Sequence, residues 1–202
     1  MRYIKEKQVH QIEINKSIFI CVIIPIDDIL EVKHHIDILK TEYPKANHYC
    51  HAAMCGESAE HMIASDDGEP QRTAGIPILE VLKHHELTNT LAVVIRYFGG
   101  IKLGAGGLVR AYTKSIAETL KLSRFYHKKI VQCYELSLPY SLVDTFEYQY
   151  KDKIEIIDKT YVEHVSLKIL LLESDLSLFD EIKHLIINIK PLEPETLYVL
   201  DA

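Results

Sequence analysis

The feature that most constrains this chain is an uninterrupted apolar run, LAVVI, at residues 91–95. A strand with one face in water alternates apolar and polar residues, so a continuous run predicts a strand in the middle of a sheet that is covered on both faces. We place this strand over residues 89–98. The chain has 202 residues, of which 48% are hydrophobic and 26% charged, so it can bury such a core. Its apolar runs are far below the roughly 18 residues needed to cross a bilayer.

Shorter patterns place the remaining elements of the first half. Residues 8–14 and 18–26 predict a hairpin, and apolar residues at three- and four-residue spacing predict a helix that begins after Asp27 or Asp28 and stops at Pro44. Residues 47–56 and 61–65 predict two more strands, and residues 76–85 a second helix with Pro77 in its first turn. A third helix follows the strand at 89–98 and ends near Leu122, with an apolar side predicted at Leu108, Ala111, Ile116 and Leu120.

The second half gives a different order. Strands are predicted at residues 130–138, 154–160, 162–172 and 195–200, with helices at 142–151 and 178–188. This order, β-α-β-β-α-β, is typical of a ferredoxin-like domain. We therefore expect an α+β protein of two domains, residues 1–129 and residues 130–202.

The charges are unevenly distributed between the two halves. Residues 1–130 carry 17 Lys and Arg against 15 Asp and Glu, a net charge of +2, whereas residues 131–202 carry 6 against 14, a net charge of −8. Residues 96–129 hold eight basic side chains and one acid, Glu118. An anionic partner is therefore expected at this stretch.

A glycine-rich segment follows the strand at 89–98, with five glycines in residues 99–107. Glycines before a helix expose backbone N–H groups, and the helix start adds about half a positive charge, so an anion is a suitable guest. The alternative is that the glycines only form a tight strand-to-helix turn. The pattern matches neither the Walker loop nor the dinucleotide fingerprint. The candidate anion- or RNA-binding residues, which include three aromatic rings for stacking, are Arg96, Tyr97, Phe98, Gly99, Gly100, Lys102, Gly104, Gly106, Gly107, Arg110 and Tyr112.

An acidic loop, DDGEP at residues 66–70, has three open interpretations. Its carboxylates could bind Mg²⁺ or Ca²⁺ or serve as an acid/base pair, although the EF-hand spacing is absent. The interpretation we favour is that they hold Arg72, Arg96 or Lys102 by charge-assisted hydrogen bonds and so order one polar surface. The polar-loop candidates are Asp66, Asp67, Glu69, Arg72 and Thr73.

Histidine and cysteine alternate in HYCHAAMC, residues 48–55. On a strand, His48 and Cys50 point to one face and His51 and Cys55 to the other, so one zinc ion cannot bind all four without a bend. A Cys50–His48 nucleophile pair and a buried, hydrogen-bonded thiol are the other possibilities. We expect no metal or cofactor.

Three segments together resemble the signature of the YigZ/Impact family: SDDGEP at 65–70, TAGIPIL at 73–79 and RYFGGIKLGAGGLVRAY at 96–112. SIFI at 17–20 and HYCHA at 48–52 are similar to weaker motifs of that family. The chain departs from the pattern at Gln71-Arg72, where Ser-Gly is usual. The resemblance implies a first domain like the fourth domain of elongation factor G and a second like its fifth. The family's eukaryotic members act in translational control.

These observations predict a cytoplasmic, non-enzymatic protein that contacts RNA, the ribosome or a translation-associated protein and no membrane. The N-terminus has no apolar signal-peptide core, and the four cysteines lack the density of a disulfide scaffold, which fits a reducing compartment. Two alternatives stay open. One is an enzyme of phosphoryl transfer or hydrolysis that uses the acidic and glycine-rich loops, and the other is a protein-interaction module.

Overall fold

The computed structural model describes residues 1–172 and 176–201. The chain divides into two compact units. The first is Met1–His127 together with the last residues from Val199 onward, and the second is Lys128–Tyr198. Each unit is considered by itself below.

The first unit is built on an antiparallel sheet. The strands of this unit are β1 (Arg2–Tyr3), β2 (Gln8–Ile14), β3 (Ser17–Pro25), β4 (His48–Cys55), β5 (His61–Ser65) and β6 (Thr90–Tyr97). The order in the sheet is β2-β3-β6-β4-β5. The central strand, β6, is buried along its length from Thr90 to Arg96, so the prediction of a covered middle strand is confirmed.

Helices cover both faces of this sheet, which explains why β6 is apolar throughout. The helices are α1 (Val32–Glu42), α2 (Gly75–His84) and α3 (Gly104–Leu120). Ala92 and Val94 of β6 pack into one core with α2 and α3, while Leu91, Val93 and Ile95 pack into a second core with α1. Successive residues of a strand point to opposite faces, so both layers need apolar partners from the same strand.

Local turn and capping chemistry follows the sequence closely. Asn15 and Lys16 both have positive φ, 50° and 64°, and form the two-residue turn between β2 and β3. Primed turns of this kind match the twist of the two strands they join. Asp28 caps a short 3₁₀ turn at Ile29–Glu31 that precedes α1, and Glu31 completes the capping box.

The glycine-rich segment divides differently from the prediction. Helix α3 begins at Gly104, so Gly104, Gly106 and Gly107 lie in its first turn and the connecting loop is only residues 98–103. The helix then buries Leu108, Ala111, Ile116 and Leu120. The predicted apolar side of the helix is thus confirmed, and its start lies within the glycine run.

The elements of the second unit are β7 (Tyr126–Leu138), α4 (Tyr140–Tyr150), β8 (Ile154–Tyr161), β9 (Val165–Leu171) and β10 (Asn188–Leu200). Its strands lie in the order β10-β7-β9-β8. The first two residues of β7 pair with β1 and belong to the first unit. Helix α4 packs Val143, Phe146 and Tyr150 onto one face of the sheet.

The helix predicted at residues 178–188 is wrong. Two 3₁₀ turns, Leu176–Phe179 and Lys183–Leu185, occupy this segment, and Phe179 packs on the rings of Phe146 and Tyr150 at 5.5 and 5.1 Å. A 3₁₀ turn also aligns residues three apart, so apolar spacing alone does not distinguish it from an α-helix. Within the described ranges, no helix combines the length and the apolar character that crossing a bilayer requires.

Candidate anion-binding site

The first carboxylate of the acidic loop caps helix α2. Asp66 Oδ1 accepts hydrogen bonds from the N–H groups of Ala74 and Gly75 at 3.0 and 2.9 Å, and Oδ2 accepts one from Arg72 N–H at 2.7 Å. Burial alone raises the pKa of the Asp66 carboxyl, but these N–H groups and the Arg72 charge together bring it below its ordinary value. Asp66 therefore fixes the loop to the start of α2 as an anion.

The second carboxylate attaches the same loop to strand β4. Asp67 Oδ2 accepts a hydrogen bond from Tyr49 N–H at 2.6 Å, and His48 Nδ1 lies 2.8 Å from the Asp67 carbonyl oxygen. Thr73 closes the far end of the loop, because its hydroxyl donates to the Pro70 carbonyl oxygen at 2.7 Å. The loop is thus held from both sides before any ligand is considered.

The third carboxylate, Glu69, is buried and paired. Its side chain is 3% exposed, and Oε1 accepts hydrogen bonds from Arg96 Nη1 at 2.6 Å and from the Tyr112 hydroxyl at 2.8 Å. The Cys50 thiol continues the network, lying 3.3 Å from the Tyr112 hydroxyl and 2.9 Å from the Asp66 carbonyl oxygen. The acidic loop, β4, β6 and α3 therefore meet in one buried polar network.

The Arg96 guanidinium occupies an unusual position in this network. Its side chain is 6% exposed and lies against the rings of Phe19 and Phe98, whose centroids are 5.3 and 5.4 Å from Cζ. Nη2 donates weakly to Ser17 Oγ at 3.4 Å, whereas Nε is buried and has no hydrogen-bond partner among the described residues. A buried donor without an acceptor is costly, so this N–H favours a guest that carries an acceptor atom.

The loop that leads into α3 is anchored by side chains distant in sequence. Gly99 N–H donates to Ser17 Oγ at 3.1 Å, and Phe98 N–H donates to Asn47 Oδ1 at 2.8 Å. A Cβ on Gly99 would lie 2.0 Å from the carbonyl group of Lys16, so only glycine allows this close approach. The anchors fix where α3 begins.

The two loops meet at one cavity of about 310 Å³. Its walls come from the acidic loop, the end of β6 and the first turns of α3, and its lining residues are Glu69, Pro70, Arg96, Phe98, Lys102, Leu103, Gly104, Ala105 and Leu108. The N-terminal flanking residue of α3 is Leu103, which offers no side-chain cap to the N–H groups of the first turn. These N–H groups carry the positive end of the helix dipole at the cavity.

Two further cations lie at this helix start. Lys102 is exposed and lines the cavity, and Arg110 is exposed in the second turn of α3. A Cβ on Gly106 would be 3.7 Å from Arg110 Nη1, so the guanidinium lies over the first turn. Neither Lys102 nor Arg110 forms an ion pair with any residue in the described part of the chain.

The aromatic residues differ from their predicted roles. Tyr112 is fully buried, and its ring makes an edge-to-face contact with Phe19. The expectation that Tyr112 offers a face for base stacking is therefore wrong. Tyr97 is partly buried, does not line the cavity, and donates its hydroxyl to the Pro44 carbonyl oxygen at 3.2 Å. Phe98, at 45% exposure, is the predicted ring that lines the cavity.

Of the other predicted residues, Arg96 lines the cavity, whereas Asp66, Asp67, Arg72 and Gly100 do not. Asp66 and Asp67 have their carboxylates engaged with backbone N–H groups, and Arg72 lines a separate groove between α2 and α3. Arg96 is the cation that the acidic loop holds through a side-chain pair, and Gly100 lies in the loop with φ of 84°. Ser17 and Asn47 were missed by sequence reasoning, because no spacing rule relates either residue to a loop that is distant in the chain.

The histidine and cysteine pattern of β4 does not form a reactive pair. Burial is the main cause that raises the pKa of the Cys50 thiol; the Tyr112 hydrogen bond opposes it and the nearby carboxylates add to it. A nucleophilic cysteine needs the opposite shift. Cys50 faces the core under α2 and α3 and Cys55 the core under α1, and no metal-binding group of three His, Cys, Asp or Glu occurs in the described ranges.

Comparisons with known proteins bear directly on this surface. The Impact N-terminal domain model matches residues 15–120, which include both loops and the cavity they form. The chain is 38% identical over 179 residues to IMPACT family member YvyE of Bacillus subtilis, across 88% of this chain and 82% of that protein. The chain belongs to the Impact family. The resemblance seen in the loop motifs is thereby confirmed.

Two further relatives extend this result. The Impact family member YigZ of Escherichia coli is 37% identical over 130 residues, which are 63% of this chain and 64% of that protein. The crystal structure of a hypothetical protein matches with a TM-score of 0.61 at 29% identity, covering 95% of this chain and 97% of that chain. The family assignment and the fold thus have support from independent proteins.

Proposed function

We propose that this Impact family protein binds RNA, alone or within the ribosome, through the cavity where the acidic loop meets the start of α3, and that it acts in translation regulation or stress response. The observation that carries the proposal is that Lys102 and the uncapped N–H groups at the start of α3 line one cavity, while the Arg110 guanidinium lies over the same first turn, beside Gly106. Phosphate groups bind helix starts of this kind, and basic side chains add attraction.

The charges at the cavity favour an anionic guest. Glu69 is the acidic residue in the wall, and Arg96 compensates its charge at 2.6 Å. Lys102 and the helix dipole then leave a local excess of positive charge. The second unit is acidic and contributes separately to the choice of partner. Its negative charge opposes indiscriminate binding to phosphates or binds a basic protein surface.

A binding role accounts for the carboxylates better than catalysis does. Asp66 and Asp67 accept backbone hydrogen bonds, and Glu69 accepts from Arg96 and Tyr112. Asp66 and Asp67 thus shape the loop and do not line the cavity, which leaves Glu69 as the acidic side chain among its lining residues. An acid/base or metal-binding pair needs two carboxylates that face the ligand.

The fold resemblances belong to the same proposal. In the second unit, β7 is the first strand in the chain and lies between β10, the fourth, and β9, the third. This order supports a ferredoxin-like domain. The first unit is proposed to resemble the fourth domain of elongation factor G, and residues 1–129 and 130–202 to be the two domains. A cytoplasmic location fits an RNA partner.

The test is RNA binding as a function of salt. Lys102→Ala combined with Arg110→Ala is expected to weaken binding of a single-stranded RNA and to reduce the slope of log K against log salt by about 1.4, since each phosphate that a cation neutralises contributes about 0.7. The control is Lys114→Ala, an exposed lysine farther along α3 that is expected to leave binding nearly unchanged. An unchanged slope in the double variant contradicts the proposal.

The enzyme alternative gives a different result in a thermal-shift screen. An enzyme of this kind is expected to be stabilised by a nucleotide only when a divalent metal is present. The double variant Asp66→Asn with Asp67→Asn is expected to lose that stabilisation. A ligand at a hundred times its Kd raises stability by about 2.7 kcal/mol, which such a screen detects. A partner complex that survives high salt without RNA indicates a protein-interaction module instead.

A further inference from the structure

We propose that the cavity binds one unpaired nucleotide of the RNA, with its phosphate at the start of α3 and its base on Phe98; this rests on the proposed RNA function. The cavity volume of about 310 Å³ is at the lower end of the range for small-ligand pockets. A duplex or a folded RNA element does not fit in such a volume, whereas a single extruded nucleotide does.

The cavity is lined by two chemically different groups of residues. Lys102 and the N–H groups of Gly104 and Ala105 suit a phosphate. Glu69 and Pro70 also line the cavity, as does Phe98, whose side chain is 45% exposed. A nucleotide matches this lining, because it joins an anionic phosphate to a flat base with polar edges.

Phe98 is prepared for stacking by its neighbour. The Arg96 guanidinium lies 5.4 Å from the ring centroid, which holds one side of the ring, while the exposed part of the ring faces outward. Bases stack on aromatic rings irrespective of sequence, because every base has a π-face. The site therefore selects unpaired nucleotides rather than a particular base.

The buried network supplies a recognition element beyond charge. Arg96 Nε is a buried donor without a partner in the described ranges, and its side chain, only 6% exposed, forms part of the cavity wall. Glu69 Oε1 accepts from Arg96 and Tyr112, while no described residue donates to Oε2. A nucleotide carries acceptor atoms for Arg96 Nε and amino or hydroxyl donors for Glu69 Oε2, whereas inorganic phosphate carries mainly acceptors.

The experiment compares adenosine 5′-monophosphate, adenosine and inorganic phosphate by NMR titration of the full chain. The nucleotide is expected to bind at least 10-fold more tightly than adenosine or phosphate. Phe98→Leu is expected to weaken nucleotide binding about 5- to 150-fold, the effect of removing one base–aromatic stack, and to leave phosphate binding unchanged. Lys102→Ala is expected to weaken both. Ile101→Ala, an exposed loop residue outside the cavity wall, is the matched control and is expected to change neither.

Equal affinity for phosphate and the nucleotide overturns this inference, as does a Phe98→Leu variant with unchanged nucleotide binding. RNA binding that responds to Lys102→Ala but shows no preference for single strands over a duplex overturns it too, and leaves the proposed RNA function standing. Nucleotide binding in a protein that binds no RNA overturns the RNA proposal and with it the assignment of the nucleotide to RNA. The spectra of each variant also report whether it folds.

Discussion

The buried pair of Glu69 and Arg96 gives the sharpest test of the site's architecture. Replacing Arg96 by Met leaves the Glu69 carboxylate, 3% exposed, without its arginine partner and with one hydrogen bond, from Tyr112; His48 Nε2, 3.9 Å from Oε1, is a remaining basic neighbour. Breaking a buried pair from one side costs about 3–5 kcal/mol. That loss is a large share of the roughly 5–15 kcal/mol by which a domain is stable.

Hydrogen exchange of the β6 amides measures this loss in the first unit alone. In a core strand the slowest amides exchange through unfolding of the whole unit, so their rates report its stability. At about 1.4 kcal/mol for each tenfold change, Arg96→Met is expected to accelerate exchange about 140- to 3700-fold. This readout avoids the assumption that two units unfold in one transition.

The comparison of single and double variants separates charge burial from packing. Arg96→Met with Glu69→Met removes both charges, so it is expected to cost less than Arg96→Met alone, because no uncompensated ion is left. Arg110→Met, which removes an exposed arginine without an ion-pair partner in the described ranges, is the control and is expected to change exchange by less than about threefold. Acceleration below about fivefold in Arg96→Met refutes the argument.

Three further perturbations test the supporting contacts. Tyr112→Phe removes the hydroxyl that contacts both Glu69 and Cys50, and it is expected to lower the free energy of unfolding in urea by about 1–3 kcal/mol. The control, Tyr148→Phe at an exposed position, is expected to change it by no more than about 0.5 kcal/mol. Equal losses of stability in the two variants contradict the proposed hydrogen-bond network. Gly99→Ala places a Cβ 2.0 Å from the Lys16 carbonyl and is expected to destabilise the protein. Gly106→Ala, in the first turn of α3, is expected to stabilise it by about 0.5–1 kcal/mol. A higher melting temperature for Gly99→Ala than for Gly106→Ala contradicts the loop geometry. Asp66→Asn is expected to lower the free energy of unfolding at pH 7. The difference from the parent protein is expected to shrink as the pH falls below about 4, because the pKa of Asp66 is lowered in the folded protein and protonation of the carboxylate removes its stabilising effect. A difference that grows on acidification contradicts this explanation.

Much of the first unit could be predicted because its determinants are local. The LAVVI run identified β6 as a covered middle strand, and Asp28 marked the start of the α1 segment. The apolar side of α3 followed from three- and four-residue spacing. These features depend on residues that are neighbours in sequence, which periodicity and capping rules describe.

The details of the site could not be predicted for the opposite reason. Glu69 is 27 residues from Arg96 and 43 from Tyr112, and only the packing of β6 and α3 brings the three together. Tyr112 looks like a surface ring beside Arg110 in the sequence, yet its place on the buried side of α3 makes it part of the network. The two 3₁₀ turns near Phe179 were missed because their apolar spacing also fits a helix.

RNA binding at the cavity is tested most directly by an amide chemical-shift map of the full chain during titration with a short single-stranded RNA. The largest and earliest changes are expected at the N–H groups of Gly104, Ala105 and Gly106 and at Phe98, all at the cavity or the first turn of α3. The amide of Gly56, which donates to Asn89 Oδ1, is expected to stay unchanged and serves as the internal reference. Saturable changes confined to residues away from this cavity contradict the account.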